Sequence, residues 1–162
     1  MNKIDIFENK TLKLQNVISV SFSMDADNNR EETEYSLEVD KIKNFIKTHG
    51  GKQIGPLIQY TSVKINDNID PSVTVKFLLQ SDRYFHSVED GFQIDAVLKV
   101  KKCLYARFCG PEEKLKLAYD KLGVYAFEND IELQGCNYTV YVDRNEESDT
   151  IVADVFMPVK QD

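Results

Sequence analysis

Two histidines in 162 residues leave this chain short of the side chain on which most acid–base, nucleophilic and metal chemistry depends. His49 stands beside two glycines at the end of a helical stretch and His86 lies in a linker, and neither has Cys, Asp or Glu at ligand spacing. The sequence therefore predicts no metal site, and nothing in it implies a cofactor. Also missing are the GxSxG elbow, the phosphate-cradling GxxxxGK and the dinucleotide pattern GxGxxG, so the common hydrolase and nucleotide-binding chemistries have no local signature. Cysteine is scarce and odd in number: Cys103, Cys109 and Cys136 show no CxxC spacing and sit in apolar, strand-like runs. Buried free thiols in a reducing compartment are the simplest reading. Cys109, just before Gly110 at a helix start, has the alternative of a reactive thiolate favoured by the helix dipole. Long apolar runs are lacking, and Lys3, Asp5, Glu8 and Lys10 interrupt the N-terminal residues, so neither a signal peptide nor a membrane span is predicted and the expected location is cytoplasmic. Positive charge is in deficit, with 20 Lys and Arg against 27 Asp and Glu and a net charge of -7. Binding to phosphate backbones needs clustered cations that release counterions, which argues against nucleic acid as a direct partner.

What the chain has instead is internal similarity. Shifted by 80 residues, Asp40, Lys41 and Ile42 fall over Asp120, Lys121 and Leu122, and Gly55 falls over Gly135. The apolar rhythm coincides too: Leu37 over Leu117, Phe45 over Tyr125, Ile58 over Tyr138, Val75 over Val155, Phe77 over Met157, Leu79 over Val159. A chain of this length suits one buried core, so the expectation is a single domain over 1–162 built of half-repeats at about 11–80 and 92–160 with a linker at about 81–91.

Each half reads as strand, helix, strand, strand. Val17 to Ser23 is rich in Val, Ile and Phe and predicts a strand, and Asp25 to Arg30 predicts a loop. From Glu31 to Thr48, Tyr35, Val39, Ile42 and Phe45 or Ile46 recur at helical spacing, ending at His49, Gly50 and Gly51. The charged stretch from Asp25 to Glu34 is a solvated loop leading into an acidic helix start. Gly55 and Pro56 open a strand to about Ile65, Asn66 to Pro71 is turn chemistry, and Val73, Val75, Phe77 and Leu79 alternate as a third strand. In the second half a strand is predicted at Phe92 to Val100 and another at Cys103 to Cys109. Gly110 and Pro111 then lead into a helix with Leu115, Ala118 or Tyr119, Leu122 and Ala126 on its apolar stripe. Gly135 opens Cys136 to Val142, Arg144 to Asp149 forms a turn, and Ile151, Ala153, Val155 and Met157 alternate as the last strand.

The run Leu104-Tyr105-Ala106-Arg107-Phe108-Cys109-Gly110-Pro111, then Ala118 to Leu122, then Gly135 with Tyr141 six residues on, and finally Met157-Pro158-Val159, resembles the GyrI-like effector-binding family. The first half shares the resemblance in outline, through Gly55, Pro56 and Tyr60. That family also supplies the drug-sensing part of BmrR- and Rob-type regulators. The resemblance implies an α+β fold, a tandem pseudo-twofold repeat of a strand-helix-strand-strand module with a mostly antiparallel sheet, two helices on one face and a ligand cleft between the halves. It implies a standalone member, without a helix-turn-helix segment, that senses or sequesters a small molecule.

Strand parity then selects ligand-facing residues. With 151, 153, 155 and 157 packed on the helices, Val152, Asp154 and Phe156 point the other way. In the strand after Gly135, Asn137, Thr139 and Tyr141 share one face. Relatives that bind cationic drugs commonly carry Glu at the position of Thr139, so Asp154 is the residue left to offer an anion to a lipophilic cation. Tyr60, Tyr105, Phe108, Tyr119 and Tyr141 complete the predicted ligand-binding set with Thr139, Asp154 and Phe156, since tyrosine combines an apolar body with an orienting hydroxyl. Each has a plain structural reading beside it: an exposed Asp, or an aromatic in the core. Lys76, over Phe156 in the repeat, is placed on the same side as Phe156, or is simply solvated. Three function classes follow. The first is a non-enzymatic binder of an apolar or amphipathic molecule. The second is an interaction module that binds and modulates a protein partner, and the third a hydrolase using the cleft carboxylate and tyrosines.

Overall fold

The computed structural model describes residues 3–24, 32–65 and 71–161; the loop expected at Asp25 to Arg30, the acidic entry to the first helix and most of the turn from Asn66 lie outside the described residues. The elements run β1 (Ile6–Met24), α1 (Glu32–Thr48), β2 (Gln53–Ile65), β3 (Pro71–Ser81), β4 (Phe92–Pro111), a short 3-10 turn (Glu112–Lys114), α2 (Lys116–Glu128), β5 (Cys136–Asn145) and β6 (Thr150–Pro158). The fold is α+β, a mostly antiparallel sheet with two helices. The chain divides into two compact units, Lys13–Leu98 and Met1–Leu12 with Lys99–Asp162, so β1 and β4 each contribute residues to both.

In the unit Lys13–Leu98, β3 lies between β1 and β2, with Val20 opposite Phe77 and Tyr60 opposite Lys76. Residues directly opposite in an antiparallel pair share a face. Ile18, Val20 and Phe22 of β1 and Val75, Phe77 and Leu79 of β3 therefore form one apolar surface, on which α1 lays Val39, Ile42, Phe45 and Ile46. The spacing of those four is what makes α1 a helix with one buried stripe. Its end is fixed by two backbone bonds, Gly50 N–H to Lys47 O at 3.2 Å and Gly51 N–H to Ile46 O at 2.8 Å. This is the paired cap that needs a left-handed residue, and Gly50 supplies it at φ +80°.

The other unit repeats the connectivity: β6 lies between β4 and β5, with Tyr105 opposite Phe156 and Phe156 opposite Tyr138. Leu104, Ala106 and Phe108 of β4 and Ile151, Ala153, Val155 and Met157 of β6 pack with Leu115, Ala118, Leu122 and Ala126 around α2. Pro111 is extended at φ -60° and sets up the 3-10 turn before α2, where its missing N–H costs nothing.

Three strand boundaries differ from the sequence expectation, for a common reason. β1 begins eleven residues before Val17, at Ile6. Asn9 and Asn16 adopt left-handed φ of 58° and 52°, which breaks the alternation that would have marked the strand. The separate strands expected at Phe92 to Val100 and Cys103 to Cys109 are one continuous β4, bent where Lys102 has φ 56°. β5 runs through Arg144 to Asn145, past the turn expected to start at Arg144. Its register slips between Tyr141 and Asp143, and the hairpin closes with Asn145 Oδ1 accepting the Glu147 and Ser148 N–H groups.

Candidate functional site

The unit that holds β4, β5 and β6 carries seven of the eight residues expected to bind a ligand, and its register divides them between two sheet faces. Thr139 opposes Val155, Tyr141 opposes Ala153 and Phe108 also opposes Ala153, so these three lie on the face covered by α2. Tyr119 reaches them from α2: its hydroxyl is hydrogen-bonded to Thr139 Oγ1, and Thr139 is 1% exposed. Phe108 is buried, and Tyr119 and Tyr141 pack half-buried against the same cluster. Burial pushes both phenols above their ordinary pKa, Tyr141 further, with the neighbouring Tyr119 and Glu112 adding to its rise.

Tyr105, Asp154 and Phe156 lie on the opposite face. In one row Tyr105, Phe156 and Tyr138 sit side by side across β4, β6 and β5, and in the next row Arg107, Asp154 and Val140 do the same. The Tyr105 and Phe156 rings are 5.0 Å apart, and Phe7 of β1 extends the stack with its centroid 6.1 Å from Tyr105. Phe7 is half exposed, and Lys10 Nζ stands 5.5 Å from its ring centre. A short aromatic surface with a polar row beside it is the result.

The polar row is already charge-paired. Arg107 Nε and Nη2 donate to Asp154 Oδ1 and Oδ2 at 2.7 and 3.0 Å, and Tyr105 Oη donates to Oδ1 at 2.8 Å. Such a two-pronged guanidinium grip fixes the carboxylate in direction as well as neutralising it. The Asp154 side chain is 14% exposed and that of Arg107 52%. Hydrogen bonding to Asp154 raises the Arg107 pKa, while burial and then Asp154 raise that of Tyr105. Asp154 is therefore neither the free anion expected for a cation site nor a freely solvated residue. Nor do Asp154 and Tyr141 line one wall, as the sequence reading had them.

Arg107, Tyr138 and Phe7 were absent from the predicted set. Arg107 and Tyr105 share the parity opposite to Leu104, Ala106 and Phe108, which marks their face in the sequence; what the sequence does not give is the β4–β6 register that sets Arg107 beside Asp154. Tyr60 is in the other unit, on its face away from α1, opposite Lys76, whose Nζ is 5.3 Å from the ring centre. The three cysteines are not paired as disulfides; Cys103 is fully buried, Cys109 and Cys136 half-buried. Burial, then Cys136, pushes Cys103 up to about 11, which makes it inert. Among the described residues no group of three or more His, Cys, Asp or Glu is placed to hold a metal, and no helix is long and apolar enough to cross a membrane.

No family model and no curated protein matches the sequence. Solved structures do match in three dimensions. The EcmrR chain in its DNA complex superposes with a TM-score of 0.65 at 16% identity over 99% of this chain, which spans 58% of the EcmrR length. The EcmrR C-terminal domain gives 0.62 at 16% identity, covering 95% of this chain and 98% of that one. SAV2435 bound to tetraphenylphosphonium gives 0.51 at 10% identity over 95% and 94%, and a hydrolase from Listeria innocua 0.57 at 10% over 98% and 92%. At such identities the likeness speaks for backbone architecture alone, and on that ground the chain has the fold of the EcmrR C-terminal domain.

Proposed function

We propose that this chain is a non-enzymatic binding protein that senses or sequesters a small apolar or amphipathic molecule. The observation that carries this reading is the aromatic row of Phe7, Tyr105 and Phe156 on the sheet face away from α2, bordered by the Arg107–Asp154 pair. Flat rings offer apolar area at little conformational cost, and the adjacent charges give orientation. SAV2435, which shares the fold, was solved with a bound organic ion, tetraphenylphosphonium, and so supports a ligand-binding use of this architecture. In this proposal Tyr105, Asp154 and Phe156 meet the ligand, while Thr139, Tyr119, Tyr141 and Phe108 brace the same strands from behind.

The same reading takes the two units as copies of one module, supported by their shared order of strand, helix, strand, strand with the last strand central. A reducing cytoplasmic setting fits three cysteines that form no disulfide. Hydrolysis is the weaker use of this face, because both oxygens of its carboxylate, Asp154, are already engaged by Arg107 and Tyr105.

Titration with the neutral dye Nile red tests the proposal. The dye is expected to brighten on the wild-type protein and to raise its melting temperature. The Tyr105→Ala/Phe156→Ala double variant should lose at least about tenfold in affinity while keeping its circular dichroism spectrum, consistent with removal of two anchoring rings. Unchanged binding by that variant would overturn the assignment of the face.

A further inference from the structure

The charge pattern around the aromatic row says which amphiphiles belong there, an extension that rests on the proposed binding function. Four strands bring charged groups to this face. β4 supplies Arg107, β6 supplies Asp154, and β5 supplies Asp143, opposite Val152 near the hairpin end. β1 adds Lys10 beside Phe7. Asp154 and Arg107 neutralise each other, and Asp154 accepts a third bond from Tyr105, so its negative charge is spent. Asp143 is exposed, lies two rows from Tyr105 and Phe156, and accepts the backbone N–H of Arg144 at 2.8 Å. Next to the rings themselves stand the outward edge of the Arg107 guanidinium, which uses only Nε and Nη2 on Asp154, and the ammonium of Lys10. Phe7 already has a cation near its ring, which leaves less of the ring's negative face for a cationic guest.

We infer that the preferred ligand is an anionic amphiphile, an aromatic or aliphatic body bearing a carboxylate or sulfonate, whose apolar part covers Tyr105 and Phe156 and whose anion meets Arg107 and Lys10. Beside the rings, a lipophilic cation would have to displace Arg107 from Asp154 to reach that carboxylate, and the other acid on this face, Asp143, lies two rows away near the hairpin end. An anion adds to the pair without breaking it. The Arg107–Asp154 bond thus acts as a charge filter set into the sheet, even though the protein as a whole carries a net charge of -7.

Tetraphenylborate and tetraphenylphosphonium, ions of nearly equal shape and opposite charge, separate the possibilities by calorimetric titration. Wild type should bind the borate at least about tenfold more tightly. Arg107→Gln removes the guanidinium and frees the Asp154 carboxylate, so the ratio of borate to phosphonium affinity should fall by at least about tenfold, with phosphonium binding improved. Lys10→Gln, at an exposed position where folding is not at stake, should lower borate affinity severalfold and hold or improve phosphonium affinity, since it also clears a cation from the Phe7 ring. A wild type that prefers phosphonium, or a ratio unmoved in both variants, overturns the anion assignment while the binding function stands. If neither ion nor Nile red binds, the binding function falls and the anion assignment with it.

Discussion

Tyr119 and Thr139 set out the economics of a buried hydroxyl. The small, buried side chain of Thr139 has the Tyr119 hydroxyl as partner for its Oγ1. Tyr119→Phe keeps the ring and strands that oxygen, so equilibrium urea unfolding should show a loss of about 1–3 kcal/mol; a Tyr119→Phe/Thr139→Val pair should recover part of it. The same phenols give a pH signature. Burial raises the pKa of Tyr119 and Tyr141 in the folded protein above the ordinary 10.0, so above that pH the unfolded chain releases protons that the folded chain retains. Their contribution is intact below about pH 10 and is lost as pH rises from there toward the raised folded values. Melting temperature should drop on titration past about pH 10, and Tyr141→Phe should flatten that drop; an equally steep drop in the variant would show that Tyr141 does not drive it. At this scale the aromatics were legible as a class. Their division between core and open face was not, because it hangs on which residue of β6 opposes each one, a long-range fact that local pattern does not encode.

Helices announced themselves in the sequence and strands did so only where they were straight. In α1 and α2 the apolar residues at three- and four-residue steps are the ones that reach the core, since a helix keeps its period through any local composition that does not break it. β1 and β4 contain left-handed residues at Asn9, Asn16 and Lys102, and each such residue resets the two-residue alternation, so their full lengths were hidden. The helix faces allow a paired test. Leu122 of α2 is fully buried, whereas Leu117 on the same helix is exposed. Leu122→Ala is expected to cost about 2–5 kcal/mol in chemical unfolding and Leu117→Ala about 0.5 kcal/mol or less. Comparable losses at both positions would mean that the outer side of α2 is covered in solution. Loop closure at the end of α1 is equally specific: a Cβ on Gly51 would lie 2.8 Å from the Phe85 ring, so Gly51→Ala should destabilise by about 1–3 kcal/mol.

For the molecule as a whole, the 80-residue offset sets β3 residues over β6 residues of like placement: Val75, Phe77 and Leu79 sit on the α1 side of β3, and Val155 and Met157 sit on the α2 side of β6. It loses phase on the preceding strand. Tyr60 opposes Lys76 as Tyr138 opposes Phe156, so Tyr60 corresponds to Tyr138 and not to the Val140 that the offset assigns it. The stretch from Tyr60 to Lys76 is two residues shorter than that from Tyr138 to Phe156, where β5 is bulged between Tyr141 and Asp143, and β2 takes up the difference in its own irregularity between Ile54 and Ile58, with Gly55 at φ +79°; residue counting cannot follow either. Overall charge was readable without any fold. A net charge of -7 leads to the expectation that this chain does not hold DNA by its phosphates, although it shares a fold with part of the EcmrR chain found on DNA. Phosphate-backbone affinity grows with the number of cations that displace counterions, and here acidic side chains outnumber basic ones across the sequence. The chain by itself should therefore leave a duplex unshifted in a gel-mobility assay at about 0.15 M salt, and lowering the salt to about 0.05 M should not produce a complex. A retarded band that strengthens steeply as salt falls would reveal a cationic surface and overturn this reading; a complex insensitive to salt would do so by a different route, through base stacking on exposed rings such as Phe7 or Phe127.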